Sequence, residues 1–255
     1  MLLAVDIGNT NINIGVFLNK KLYRHWLVRA EKEKTCDEYT VMLVSLFSLF
    51  HIDVSGVKAV IFSSVVPPLT PVFSRLSQSL FGIKPMIVGP GLKTGMPILY
   101  ENPMEVGADR VVGAVAAYAK YGGPCIIVDF GTATTFDAIS TKGEYLGGAI
   151  APGIQISAEA LYLRTAKLPR IEIAKPKAAI GRTTVGSMHS GLFYGYIGLV
   201  SKVIETIDRE LGGGAVTVAT GGYSNLIGGE IETIKHREPF LVLEGLRILY
   251  EKNAL

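Results

Sequence analysis

Cysteine is scarce in this sequence, and the two copies lie far apart. Cys36 and Cys125 are the only thiols among 255 residues. This spacing excludes a disulfide framework and a zinc site built from paired cysteines. A chain without disulfides suits a reducing compartment, so we expect it to be cytoplasmic.

Long hydrophobic runs are also missing, and we expect no leader sequence. The longest apolar stretch, Val41 to Ile52, is interrupted by Ser45, Ser48 and His51. It is shorter than the ~20 apolar residues that cross a bilayer. The first residues, Met-Leu-Leu-Ala-Val-Asp, lack the basic flank of a signal peptide. We therefore expect no membrane partner.

Charge of one sign is not in large excess. The chain has 25 Lys and Arg against 22 Asp and Glu, and no basic run is interleaved with aromatic residues. Nucleic acid is therefore not an expected partner. Four histidines scattered along the chain do not predict an imidazole metal cluster, and no Gly-x-Ser-x-Gly segment predicts a serine hydrolase.

Glycine, in contrast, is abundant, and two of its turns are nearly the same. Val-Asp-Ile-Gly-Asn-Thr at 5–10 and Val-Asp-Phe-Gly-Thr-Ala at 128–133 each end a short apolar run. Glycine two residues after the acid predicts a sharp bend or a close approach. Backbone N–H groups and nearby hydroxyls in such a turn suit a phosphate. One copy alone is better explained by an Asx turn at a strand end, but the duplication reverses this preference and favours phosphate binding.

The hydrophobic pattern predicts the same order of elements twice. A three-stranded meander over 2–7, 11–18 and 21–29 is followed by a helix that Asp37 caps, a strand over 57–64, a helix from Pro67-Pro68 and a strand over 84–88. A helix from Pro103 to Tyr121 then precedes a second meander over 125–129, 134–139 and 144–150, helices ending at Arg164 and spanning 184–211, a strand over 216–219 and a last helix over 244–252. The duplication predicts an α/β protein of two lobes, 1–102 and 103–255, with a cleft between them.

Two common nucleotide fingerprints fail here. Residues 181–186 have the glycine spacing of a P-loop, but Ser187-Met188 stands where the lysine and hydroxyl should be. Gly89 and Gly91 follow a strand, but Met96-Pro97 stands where a dinucleotide-binding helix should begin. The paired aspartate turns remain, with a third glycine turn, Ala-Thr-Gly-Gly, at 219–222.

These three turns resemble those of the actin and sugar kinase superfamily. That resemblance implies a duplicated actin-like (ribonuclease H-like) fold with a mixed sheet and flanking helices in each lobe. Four segments are similar to the type III pantothenate kinases: Asp-Ile-Gly-Asn-Thr-Asn-Ile-Asn-Ile-Gly at 6–15, Gly-Ala-Asp-Arg at 107–110, Asp-Phe-Gly-Thr-Ala-Thr-Thr-Phe-Asp at 129–137 and Gly-Gly-Ala-Ile-Ala-Pro-Gly at 147–153. The similarity extends over nearly the whole chain.

The resemblance implies an activity and a set of site residues. The activity is phosphorylation of pantothenate by ATP with Mg²⁺, the first step of coenzyme A biosynthesis, in a homodimer. ATP and magnesium would be held by Asp6, Ile7, Gly8, Asn9, Thr10, Asn11, Ile12, Asn13 and Thr132. Pantothenate would be held by Tyr100, Gly107, Ala108, Asp109, Arg110 and Thr184. Asp129 would bind a monovalent cation, K⁺ or NH₄⁺.

Asp109 is the candidate catalytic base. It lies near the start of the helix expected from Pro103, four residues after Glu105, whose like charge would raise the pKa of Asp109. Arg110 offers a fork for an anionic substrate. The pattern alone fits a surface Asp–Arg pair equally well, and the resemblance decides for the catalytic role.

Other interpretations stay open from the residues alone. Asp137 is either an acid that supports the site or a polar strand position. The glycines of the helix from Thr184 suit internal packing or a subunit interface. Two further functions fit the same fold: a nucleotide-dependent regulator or transcription accessory protein, and a phosphohydrolase in which water attacks ATP.

Overall fold

The computed structural model describes residues 1–254, and these fold into two compact units. The first unit contains Met1–Gly95, Asn102–Ala116 and the chain from Val242 onward. The second unit contains Met96–Glu101 and Ala117–Leu241. The lobe boundary after residue 102 stays a prediction, and Leu255, at the end of the expected second lobe, lies outside the described residues.

The first unit is built on a five-stranded mixed sheet. Strands β1 (Leu2–Ile7), β2 (Asn11–Leu18) and β3 (Lys21–Arg29) form the predicted antiparallel meander. Strands β4 (Ala59–Ser64) and β5 (Met86–Ile87) join it in parallel, so the order is β3-β2-β1-β4-β5. The central strand β1 is buried along its whole length, as its continuous apolar run predicts.

Helices α1 (Cys36–Leu49) and α2 (Leu69–Phe81) follow the strands of the first sheet. The prediction that Asp37 caps α1 is wrong. Thr35 is the N-cap, its hydroxyl accepts the N–H of Glu38, and the Glu38 carboxylate accepts the N–H of Thr35. This reciprocal pair satisfies two backbone donors where Asp37 would satisfy one.

The predicted helix from Pro103 is also wrong at its start. Residues Pro103–Glu105 form a separate 3₁₀ turn, capped by Asn102, and helix α3 spans Ala108–Tyr121. Proline suits the first position of either kind of turn, so it does not identify which one follows. The C-terminal helix α6 spans Leu241–Asn253 and begins three residues before the predicted Glu244.

The second unit repeats the first in strand order and direction. Strands β6 (Cys125–Phe130), β7 (Ala133–Ile139) and β8 (Tyr145–Pro152) form the second antiparallel meander. Strands β9 (Val216–Gly221) and β10 (His236–Arg237) add in parallel, and the order is β10-β9-β6-β7-β8. Read from the meander edge, both sheets have the same topology, which confirms the predicted duplication.

Helix α4 (Ile154–Arg164) contacts β7, and helix α5 (Thr184–Glu210) contacts β6 and β7 of the second sheet. Each unit has its own apolar core. The first core includes Leu3, Val5, Ile12, Phe47, Phe62 and Phe73, and the second includes Ile126, Val128, Phe136, Phe193, Val200 and Ile204. Within residues 1–254, none of the helices combines the length and apolarity that a bilayer crossing requires.

Candidate functional site

Asp6 lies near the carboxyl end of β1, where the sheet supplies its partners. The register places Asp6 opposite Asn13 of β2 and Ser63 of β4. The Ser63 hydroxyl donates to Asp6 Oδ1 at 2.8 Å, and Asn13 Nδ2 lies 3.5 Å from Oδ2. Sequence reasoning missed Ser63, whose only signal is that it is the second-last residue of β4, a strand parallel to β1.

Asp6 is 8% exposed, and burial raises its pKa to about 7. Burial is the largest cause of this rise, the nearby negative charge of Asp109 adds to it, and the hydrogen bonds from Ser63 and Asn13 oppose it. Burial also raises the pKa of Asp109. The charge of the half-buried Asp109 disfavours ionisation of the buried Asp6, and a cation beside the two acids would relieve this repulsion.

This pair fits a magnesium ion that arrives with a phosphate ligand. Mg²⁺ prefers oxygen donors and is commonly held by one or two carboxylates, with water and phosphate completing the coordination. Among residues 1–254 there is no group of three or more His, Cys, Asp and Glu side chains placed to hold a metal ion. The donors present therefore fit a shared ion better than a site enclosed by protein.

The turn between β1 and β2 is exposed at three of its residues. The Gly8 N–H donates to Asn11 O at 3.0 Å, and a Cβ at residue 8 would lie 3.0 Å from that same oxygen. Asn9, Thr10 and Asn11 are exposed. Ile7 and Ile12, also predicted to grip ATP, have fully buried side chains and belong to the core. Only their backbone could contribute to a phosphate site.

Asp109 lies in the first turn of α3, where helix N–H groups favour a negative charge. The Arg110 N–H donates to Asp109 Oδ1 at 2.8 Å, and this bond together with the Arg110 charge opposes the rise in pKa caused by burial. The predicted influence of Glu105 is wrong. Glu105 is exposed on the preceding 3₁₀ turn, where its carboxylate accepts from Asn102 Nδ2 at 2.9 Å.

Gly107 makes room for the Asp109 carboxylate. A Cβ at residue 107 would lie 2.6 Å from Asp109 Oδ1 and 3.7 Å from Val65. The Gly107 carbonyl also accepts the N–H of Val111, which starts the helix. The predicted segment Gly107 to Arg110 is therefore one local structure at the start of α3, with Ala108 as its first helical residue.

Asp129 lies at the end of β6 in the second unit, packed against glycine turns. Register places it opposite Thr135 of β7 and Thr220 of β9. Gly221 has a φ of +86°, and a Cβ there would collide with Asp129 Oδ1. A Cβ at Gly131 would lie 3.7 Å from the same atom. Thr132, in the turn between β6 and β7, is exposed and its carbonyl accepts the Gly153 N–H at 3.2 Å.

Helix α5 is bonded to this second hairpin through Tyr196. The Tyr196 hydroxyl forms a hydrogen bond with Thr134 and donates to Pro152 O at 3.2 Å. Burial raises the pKa of Tyr196, so the group stays a neutral phenol. Sequence reasoning missed this contact because the partners are 62 residues apart.

The remaining predicted substrate residues lie in two parts of the second unit. Tyr100 packs on Gly147 of β8, where a Cβ would lie 3.3 Å from two ring carbons. Thr184 is exposed at the first residue of α5, directly after the N-cap Thr183. Thr184 lines a groove with Leu161, Leu168, Arg182 and Met188.

Comparisons with known proteins agree with this architecture. A family model described as type III pantothenate kinase matches residues 2–206. A type III pantothenate kinase from Moorella thermoacetica is 53% identical, with 100% of each chain covered. One from Geobacter sulfurreducens is 54% identical, with 99% of each chain covered.

Solved structures show the fold. The (R)-2-hydroxyglutaryl-CoA dehydratase component A from Acidaminococcus fermentans has a TM-score of 0.55 at 13% identity, over 100% of this chain and 99% of that one. The inorganic polyphosphate/ATP-glucomannokinase from Arthrobacter sp. strain KM has a TM-score of 0.51 at 15% identity, over 99% of both chains. The expected actin-like α/β fold is confirmed. Because the family model covers most of the chain and relatives above 50% identity cover all but a residue or two, the chain belongs to the type III pantothenate kinase family.

Proposed function

We propose that this protein transfers the γ-phosphoryl group of ATP to a hydroxyl of pantothenate, giving ADP and 4'-phosphopantothenate in the first step of coenzyme A biosynthesis. Membership of the family, with full-length relatives that carry this name, is the observation that supports the activity. We place the reaction in the cytoplasm, which suits a chain whose two cysteines are both free.

Asp109 is the proposed base. Its carboxylate takes the proton of the pantothenate hydroxyl while that oxygen bonds to the γ-phosphorus and the bond from phosphorus to ADP breaks. Burial supports this role, because a raised pKa brings a carboxyl closer to the working pH of a general base. In this proposal Arg110, Gly107 and Ala108 hold the same substrate, together with Tyr100 and Thr184.

Asp6 is the proposed magnesium residue. Its buried carboxylate, paired with the charge of Asp109, supports a cation on the first hairpin. Magnesium bound with ATP supplies charge neutralisation at the phosphate oxygens. The hairpin residues Gly8 to Asn13, and Thr132 in the second unit, are proposed to bind the triphosphate through N–H and hydroxyl groups.

Asp129 is the proposed site of a monovalent cation, K⁺ or NH₄⁺. The glycine turns at 131 and 221 bring backbone close to its carboxylate, and backbone and carboxylate oxygens suit such an ion. An ion there would supply positive charge near phosphate oxygens.

We further propose a homodimer formed through the second unit. Large apolar side chains are exposed on β8, on α4, on α5 and on the segment between these helices: Ile150, Leu163, Ile180, Val185 and Tyr194. On α5, a Cβ at Gly191, Gly195 or Gly198 would meet open space. Exposed apolar area of this kind is typical of an interface. Light scattering after size exclusion should give twice the chain mass, and a monomer would contradict the dimer.

The activity is tested by ADP formation from Mg-ATP with and without pantothenate, in potassium and in sodium buffer. We expect ADP only when pantothenate is present, and more of it in potassium. Equal ADP formation without pantothenate would replace the kinase with a phosphohydrolase. Equal rates in the two buffers, with pantothenate still required, would contradict the cation site alone.

A further inference from the structure

One buried acid of the second unit has no part in the reaction as proposed. Asp137 on β7 is 2% exposed. The Tyr145 hydroxyl donates to its Oδ1 at 2.6 Å, and the Thr135 hydroxyl lies 3.4 Å from Oδ2. A buried carboxylate costs folding free energy, and an apolar side chain would fill a strand position more cheaply. The position of Asp137 therefore calls for a reason beyond packing.

Tyr145, the partner of Asp137, holds a segment that is outside the named strands. The Tyr145 N–H donates to Pro97 O at 2.8 Å, and its carbonyl accepts the Leu99 N–H at 2.8 Å. Ile98 forms an isolated parallel bridge with Tyr145. Residues 97–99 are thus attached to the edge of the second sheet at one residue, and Tyr145 is that residue.

Tyr100 follows this segment directly and contacts the same strand. Its ring centroid lies 6.5 Å from that of Tyr145, at an interplanar angle of 55°. Its edge rests on Gly147, which has a φ of +117° and no side chain to displace the ring. The place of Tyr100 is therefore set by Tyr145 on one side and Gly147 on the other.

We propose that Asp137 is a positioning residue for the acceptor substrate, acting through Tyr145 on Tyr100. The Asp137 carboxyl group fixes the orientation of the Tyr145 phenol through the 2.6 Å hydrogen bond that the phenol donates. The fixed Tyr145 holds residues 97–99 and the face against which the Tyr100 ring packs. The proposal rests on the role given to Tyr100 in the proposed function, namely contact with pantothenate.

The first test removes one hydroxyl with Tyr145→Phe, with Tyr39→Phe as the matched control. Tyr39 is equally buried, in the first unit, and its hydroxyl donates to Glu31 O at 3.0 Å. We expect Tyr145→Phe to raise KM for pantothenate about threefold to tenfold, the usual net effect of losing one hydrogen bond. Its kcat and its KM for ATP should change less than about twofold, and Tyr39→Phe should leave all three constants unchanged.

The acid is tested by Asp137→Asn and Asp137→Ala. Asparagine keeps an oxygen that accepts from Tyr145, so its KM for pantothenate should rise less than that of Tyr145→Phe. Alanine removes the acceptor and should raise KM at least as far as Tyr145→Phe does. If Asp137→Ala does not fold, Asp137→Asn and Tyr145→Phe still test the proposal. An unchanged KM for pantothenate in Tyr145→Phe overturns the proposal.

A double-mutant cycle with Tyr100→Ala decides whether the effect passes through Tyr100. In the Tyr100→Ala background, Tyr145→Phe should have no further effect on KM for pantothenate. The same added factor in both backgrounds overturns the proposal. If Tyr100→Ala itself leaves that KM unchanged, the substrate role of Tyr100 fails and the inference fails with it. If Tyr100→Ala raises KM and Tyr145→Phe does not, only the positioning inference fails.

Discussion

Asp6 is a buried acid and Asp109 a half-buried acid of the first unit, and each has a raised pKa. The repeated phrase around Asp6 predicts a phosphate turn. The sequence does not predict that Asp109 raises the pKa of Asp6, because the two residues are far apart in the chain. The position of Asp6 on β1 and of Asp109 at the start of α3 brings their charges near each other. Substitution of either residue therefore tests its proposed role.

Asp109→Asn should lower kcat by about 10²–10⁴, the usual contribution of a positioned base. Asparagine has the same size, so the melting temperature should stay within a few degrees of wild type. Steady-state turnover with pantothenate and a thermal melt measure both. Asp37→Asn, in the first turn of α1, is the control and should keep full activity. Turnover near wild type in Asp109→Asn would rule out the base.

Asp6→Asn should stabilise the ligand-free protein above neutral pH and abolish turnover with Mg-ATP. Burial raises the pKa of Asp6 from 3.8 to about 7, so the folded state binds its proton more tightly than the unfolded state does. The stability that protonated Asp6 contributes is therefore fully present below pH 3.8 and is lost as pH rises through about 7. The shift corresponds to about 4 kcal/mol, as an upper estimate.

The test is the melting temperature of wild type and Asp6→Asn without nucleotide, from pH 4 to pH 8. We expect the variant to melt higher at pH 8, with the difference shrinking toward pH 4, where the wild-type acid is protonated in the fold. A variant that melts lower than wild type at pH 8 would show that the ionised Asp6 carboxylate does not destabilise the ligand-free fold.

Helix α3 shows how an element serves a site at its first turn. Gly107→Ala should lower kcat/KM for pantothenate at least about tenfold, because the added Cβ would displace the Asp109 carboxylate. Gly113→Ala, in the same helix, is the matched control, since its Cβ would meet only Val242 at 3.9 Å. That control should keep activity and gain up to about 1 kcal/mol of stability from helix propensity.

Kinetics and thermal melts of the two alanine variants give the comparison. Equal activity in Gly107→Ala and Gly113→Ala would show that the glycine beside Asp109 is not needed for its placement. The helix pattern predicts α3, but it places the start at Pro103. The observed start depends on the Gly107 carbonyl and on the separate 3₁₀ turn at 103–105. Proline is compatible with the first position of a 3₁₀ turn and of an α-helix, so Pro103 does not distinguish them.

At the scale of the whole molecule, Cys125 reports on the integrity of the second core. It lies on β6 with no exposed surface, and burial raises the pKa of its thiol to about 12. At pH 8 native protein should alkylate at Cys36, which is partly exposed, while Cys125 stays unmodified. Mass spectrometry after iodoacetamide treatment measures this, and denaturant should expose both thiols. Equal modification of the two in native protein would mean that the second unit opens readily.

The two sheets show which strands the hydrophobic pattern of the sequence can predict. Residues 2–7, 11–18 and 21–29 were predicted as strands and are strands with those bounds. A strand with one buried face has alternating apolar residues, and a strand with two buried faces has a continuous apolar run. Both patterns can be recognised in a short stretch of sequence. Strand β10 has two residues and was not predicted, because its pairing with β9 is made by tertiary contact alone.

The sequence by itself determined the duplication, the three glycine turns, the family and the identity of the candidate residues, because each is a local string of residue types. Only the tertiary structure decided that Ser63 supports Asp6, that Tyr196 bonds to Thr134 and that Asp137 holds Tyr145. Strand register and helix packing create these contacts between residues far apart in the chain or on different strands. Burial, which sets the pKa of Asp6 and Asp109, likewise exists only once the chain has folded.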